Sequence, residues 1–213
     1  MGETMPIASL RISGLLLASL LLAAPVGAVN VVSNGDFDTS LAGWDTVSTE
    51  PYWLAEDWQG DYPNSGSARI PDQISQTGNN VYLMQCIDLG GAAELRVQAA
   101  IRSASVGGGT GSARIALAFR DALDCDAAQF VPPYTFAIDA PEVADWTLRT
   151  SETITVPQGA VAAVLQLAST KISDTGGWIA DFDDVSVPEP GAAAAPTALA
   201  ALALLRRRRP SNS

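Results

Sequence analysis

The chain predicts an all-β fold, a single β-sandwich with a short apolar helix at each end. Three observations carry that expectation. Apolar and polar residues alternate with period two along several stretches of the middle, which buries one face of each and wets the other. Glycine- and proline-rich turn signals separate those stretches. Between the two ends no segment carries a helical 3.6 period.

The first element reads as a targeting segment over residues 1–28. Arg11 precedes the apolar stretch Ile12 to Ala24, and Pro25-Val26-Gly27-Ala28 follows. Small residues at Val26 and Ala28 suit cleavage by signal peptidase after Ala28. A retained membrane helix is the alternative. Residues 29–187, about 160 residues, then make one domain large enough for a full core.

Within that domain the strands follow in order. Val81 to Leu89 is one. Leu95, Val97, Ala99 and Ile101 alternate with Arg96, Gln98 and Arg102. Ala113, Ile115, Leu117 and Phe119 alternate with Arg114 and Arg120. Thr147 to Val156 is Thr-rich and β-prone. Val161, Ala163, Leu165 and Leu167 form another alternating set, and Trp178 to Val187 is the last strand. Gly90-Gly91, Gly107-Gly108-Gly109, Pro157-Gln158-Gly159 and Gly176-Gly177 mark the turns between them. Many short strands in one domain of this size indicate a sandwich.

Residues 188–213 close the chain. Pro188-Glu189-Pro190 precedes an apolar run from Gly191 to Leu205, then Arg206, Arg207, Arg208 and Arg209. At ~1.5 Å per residue the run reaches about 22 Å, short of the ~30 Å hydrocarbon core, so a permanent anchor would ordinarily be longer. The arginines hold their end on the cytoplasmic side. This order resembles the PEP-CTERM sorting tail of bacterial surface proteins. The resemblance implies export, recognition by an exosortase-type enzyme, transient or C-terminal membrane association, and delivery to the surface or matrix of a Gram-negative cell.

Seven basic and 21 acidic residues lie in 29–187, a net charge of −14. Nucleic acid is thereby disfavoured, because phosphate binding needs clustered Lys and Arg. An acidic surface suits cations, neutral glycans and solubility. Cys86 and Cys125 are the two cysteines, and in an exported chain one disulfide is the default.

The opening Asn34-Gly35-Asp36-Phe37-Asp38, then Gly43-Trp44, is similar to the start of galactose-binding-like jelly rolls, the fold of many carbohydrate-binding modules. The closing Asp181-Phe182-Asp183-Asp184-Val185 is similar to their end. The resemblance implies a jelly-roll sandwich, a polysaccharide partner and often a structural Ca²⁺. Read physically as a strand, the opening should point Phe37 inward with Asp36 and Asp38 on the other side, and Asp183 should share the inward parity of Val185 and Val187. An inward carboxylate needs a partner. Asp38 and Asp183 could meet around Ca²⁺, or Asp183 could accept backbone N–H groups with no metal.

Tyr52, Trp53, Trp58 and Tyr62 cluster in a stretch without strand alternation, among several acids. A mixed aromatic and polar loop suits a glycan site; alternatively Trp53 or Trp58 plugs the sandwich. Trp44 should be core. Catalysis is poorly supplied. There is no histidine, no Gly-x-Ser-x-Gly elbow and no P-loop. A glycosidase needs only two carboxylates, so that reading stays open. The sequence therefore ranks a non-catalytic binding module first, a structural matrix protein with protein partners second, and a cryptic glycosidase third.

Overall fold

The computed structural model describes residues 30–46, 50–59, 65–72 and 80–188. The expected signal segment, Tyr62, Glu189, Pro190 and Arg206 to Arg209 lie outside the described residues. All regular elements among the described residues are strands, and none of their helices is long and apolar enough to cross a membrane.

Twelve strands follow in chain order: β1 Asp45–Thr46, β2 Tyr52–Leu54, β3 Ser67–Asp72, β4 Asn80–Asp88, β5 Glu94–Leu95 and β6 Gln98–Val106. The remainder are β7 Gly111–Arg120, β8 Phe130–Ala140, β9 Val143–Thr150, β10 Ile154–Thr155, β11 Ala162–Lys171 and β12 Gly177–Ser186. They build two five-stranded sheets and a small third one. The first sheet has the order β1-β4-β11-β7-β8, the second β2-β3-β12-β6-β9, and β5 pairs with β10. All pairings are antiparallel, and the chain passes repeatedly from one sheet to the other.

The inward-facing half of each alternating strand makes the core. Leu83, Ile115, Leu117 and Leu165 from the first sheet meet Ile70, Ile101, Ala180 and Phe182 from the second, all fully buried. Burying each large aliphatic or aromatic side chain contributes about 1.5–3 kcal/mol. The sequence periodicity locates β4, β7, β11 and β12 well. Two strands are broken where continuity was expected. Leu95 to Ile101 is split between β5 and β6, and Thr147 to Val156 between β9 and β10. Val161 is exposed just before β11, outside the alternation assigned to it.

The opening motif is a turn rather than a strand. Phe37 is fully buried, as its parity suggested, but it reaches the core from a left-handed backbone conformation (φ 47°). Its ring packs 5.5 Å from the buried Trp44, whose indole N–H donates to the Asn34 carbonyl at 3.1 Å. The turn is fastened to the last strand: Val185 N–H donates to the Gly35 carbonyl at 2.8 Å, and Asn30 bonds both Val185 and Val187. A Cβ on Gly35 would sit 2.0 Å from the Val185 carbonyl oxygen, so only glycine fits there.

Candidate functional site

Among the described residues, the outer face of the first sheet holds the largest concentration of exposed aromatic side chains. β8 is its edge strand, and alternation turns Phe130, Tyr134 and Phe136 outward, 46%, 43% and 56% exposed. β7 beneath them presents the small residues Ala116 and Ala118, which pair with Phe136 and Tyr134. Because these are alanines, the Tyr134 ring can lie across β7. Its hydroxyl donates to Gln166 Oε1 on β11, one strand further in, at 2.7 Å. The ring is thereby held at both ends with one side open to solvent. Phe136 stands edge-on to it, with ring centroids 5.3 Å apart.

Two arginines of β7 border these rings. The Arg114 guanidinium lies 5.3 Å from the Phe136 centroid, and its Nε is 3.2 Å from Asp139 Oδ1. That pair is an ion contact off line for a hydrogen bond, since Arg114 Nε has no hydrogen-bond partner. Arg120 lies 5.9 Å from the Phe130 centroid. Burial pushes the Tyr134 phenol above its ordinary pKa, and the neighbouring Tyr82 of β4 adds to this. The phenol stays protonated and available as a donor at neutral pH. An exposed ring fixed at both ends, beside donors and acceptors, is suited to stacking a flat apolar surface while bonding its polar edge.

The Cys86–Cys125 disulfide forms as expected. Cys86 shares the outer face of the first sheet, in register with Val164, which itself pairs with Ala118. The bond therefore draws the β7–β8 connection, residues 121–129, back over that face.

The aromatic stretch singled out in the sequence is dispersed. Trp53 is half-buried in β2, packs against the core and donates its indole N–H to the Phe37 carbonyl at 2.7 Å. A Cβ on Gly66 would meet that ring at 2.5 Å, so it is closely packed. Trp53 is thus a plug. Tyr52 lies in register with Arg69 on the outer face of the second sheet. Trp58 is 37% exposed, and its backbone N–H, not its ring, is engaged. Trp178 is core at 1% exposure, and Trp146 lies under the Arg102 guanidinium at 4.8 Å.

The acids of the two terminal motifs do come together. Asp36, Asp38, Asp57, Asp183 and Asp184 line one cavity of about 350 Å³ with Gln59 and Ser65. Asp183 reaches it by a route the alternation did not foresee. A register shift between Asp183 and Ser186, with Asp184 at φ 49°, lets both Phe182 and Val185 face the core. Asp183 therefore lies on the side of Asp181, away from Phe182. It is 3% exposed and accepts N–H bonds from Trp58 at 2.9 Å and Asp184 at 2.7 Å. Burial pushes its carboxyl up to about 7 despite those two bonds. The donors are hard oxygens suited to Ca²⁺. In spacing they fall short, because among the described residues no group of three converges to hold a metal ion.

The aromatic face escaped the sequence reading because β8 did. Pro132-Pro133 interrupts it and argues against a strand, although proline is tolerated on an edge. The available signal was Tyr134-Thr135-Phe136-Ala137-Ile138, a β-prone run with aromatic residues two apart.

No family model matches the sequence, and no curated protein matches it. Solved structures do. The enzymatically active domain of tailspike protein 4 from bacteriophage CBA120 matches at 17% identity and a TM-score of 0.55, over 78% of this chain and 22% of that one. An arabinose-bound α-L-arabinofuranosidase matches at 15% identity and a TM-score of 0.50, over 75% and 26%. The chain thus spans about a quarter or less of either. A carbohydrate-binding module in complex with β-1,4-galactotriose matches at 14% identity and a TM-score of 0.46, over 76% of this chain and 99% of that one. At identities this low, the likeness to the tailspike domain and the arabinofuranosidase shows the two-sheet sandwich fold and nothing finer.

Proposed function

We propose that this chain is an exported, non-catalytic module that holds a polysaccharide against the outer face of its first sheet. The observation that carries the reading is the Tyr134 ring, laid over Ala118 and tied to Gln166 with one face in solvent. Pyranose rings present C–H faces that stack on such a surface, and their hydroxyls can reach Gln166, Tyr82 and Arg114. The fold-level likeness to the arabinose-bound arabinofuranosidase lends support by analogy.

Export belongs to the same proposal. Residues 1–28 act as the signal, 29–187 as the sandwich, and 188–213 as the sorting tail handled by an exosortase-type enzyme. The disulfide supports this, because such bonds are favoured in oxidising compartments and rare in reducing ones. Ca²⁺ at Asp38 and Asp183 is a separate extension of the reading, which rests on the oxygen-rich lining of that cavity alone and needs ligands beyond the described acids.

A glycan array with the processed protein tests this. Wild type should retain one class of glycan, and Tyr134→Ala and Phe136→Ala should lose retention without unfolding. If these variants bind normally while Tyr52→Ala or Trp58→Ala does not, the site lies on the second sheet. A blank array with folded protein would move the function to a structural matrix role, with the exposed rings of β8 serving a protein partner. Turnover of a bound glycan, abolished by Asp183→Asn, would identify a glycosidase.

A further inference from the structure

Of the seven cations of this acidic domain, three stand in ion pairs among the described residues. Arg69 and Arg102 are both tied to Asp181, and Arg102 also to Glu56. Arg114 has Asp139. Arg120 differs. It makes no ion pair with any described residue, and its Nε is buried without a hydrogen-bond partner. The side chain is half-buried beside Phe130, at the end of the row of rings described above. Two acids near it in sequence accept bonds of the loop instead: Asp121 the Gln129 N–H at 2.8 Å and Asp124 the Asp126 N–H at 3.3 Å.

A part-exposed guanidinium with no carboxylate beside it keeps N–H donors that a ligand oxygen can take. A guanidinium also matches a carboxylate in planar geometry. The domain's net charge of −14 acts in the opposite direction, repelling densely charged polyanions. Together the two constraints select a ligand with sparse acid groups. Resting on the binding reading above, we infer that Arg120 is a subsite for the carboxylate of an isolated uronic acid in a largely neutral polysaccharide. The neutral sugars stack on Tyr134, and the uronate sits over Phe130 against the Arg120 guanidinium.

Affinity electrophoresis of the processed protein tests the inference with three probes: glucuronoxylan, gellan and xanthan. Each is run beside the same polymer after chemical reduction of its carboxyls to neutral sugars. Wild type should bind at least one acidic polymer and lose about tenfold in affinity on the reduced form, the usual worth of a charge-assisted bond. Arg120→Gln should bind both forms equally weakly. Arg149→Gln, an exposed arginine on the other sheet, should keep the wild-type preference. Equal binding of native and reduced polymers by wild type, or a preference that survives Arg120→Gln, overturns the uronate subsite and leaves the aromatic site standing. Binding of neutral polymers alone has the same consequence. No retention of any polymer, together with a blank glycan array, overturns the binding reading itself.

Discussion

Raising the pH from 5 to 8 in the presence of a chelator should destabilise this protein, and Asp183 is the reason. Its carboxyl is 3% exposed, and burial pushes its pKa from 3.8 up to about 7. The native state therefore binds a proton that the unfolded chain has released throughout the range between those values. Stability is full below pH 3.8, falls as pH rises, and the loss is complete just above 7. At 1.36 kcal/mol per pH unit the whole span is worth at most about 4 kcal/mol, and part of it is already lost by pH 5. The carboxyl opens onto a cavity, so water screens the penalty, and about 2 kcal/mol between pH 5 and 8 is the figure to expect. For a domain of this size that lowers Tm by roughly 4–8 °C. The measurement is clean because the chain has no histidine, leaving the α-amino group as the only ordinary group titrating in the window. Differential scanning calorimetry of wild type and Asp183→Asn at five pH values gives the two slopes. A flat wild-type profile, or the same slope in Asp183→Asn, refutes the assignment of a buried, protonated Asp183. Repeating the series in Ca²⁺ tests the cavity as well. A cation held beside Asp183 stabilises its charged form and removes the slope; an unchanged slope means that the five acids take up no calcium.

Two further outcomes follow from the same framework. Asp181→Ala removes the shared partner of Arg69 and Arg102 from a site where the acid is 3% exposed, and should cost about 3 kcal/mol in urea unfolding, because a part-buried cation loses its partner. A cost below 1 kcal/mol would show that water already satisfies both arginines. Reducing the Cys86–Cys125 bond, which spans 39 residues, should cost about 3–4 kcal/mol on the chain-entropy model. It should also loosen residues 121–129 over the first sheet, read as faster amide exchange in that segment; unchanged exchange would mean the loop is held by its own hydrogen bonds.

The parts of the fold legible in the sequence are those whose burial is one-sided and uninterrupted. β7 and β11 sit inside a sheet with one apolar face each, so Ile115, Leu117, Leu165 and Leu167 declare themselves by spacing. β8 does not, because an edge strand tolerates Pro132-Pro133 and leaves its aromatic residues outside. Asp183 was misplaced in parity for a local reason: one extra residue at a bulge resets the alternation, and nothing in Asp183-Asp184-Val185 marks where it falls. Trp53 could not be assigned from its neighbours, since its partner is the Phe37 carbonyl of a turn 16 residues earlier. The aromatic face itself is a property of three strands at once. Tyr134 lies flat only because Ala118 is small and Gln166, 32 residues away, receives its hydroxyl.

The two outer faces of the sandwich have opposite chemical characters, and that contrast locates the binding surface better than any single residue does. On the second sheet Arg69, Asp181, Arg102 and Glu56 form a closed network in which each charge has an opposite one. Residues 56–59 lie over its end, tied down by Glu56 to Arg102, by the Trp58 N–H to Asp183, and by Gln59 to Asp184. A ligand there would have to break bonds already made and desolvate paired charges, which costs more than it returns. On the first sheet the floor is small and apolar, the Tyr134 ring is already fixed in place, and Arg120 has no ion pair with a described residue. A ligand there orders little that is loose and completes what is incomplete, the condition under which a modest contact area gives useful affinity.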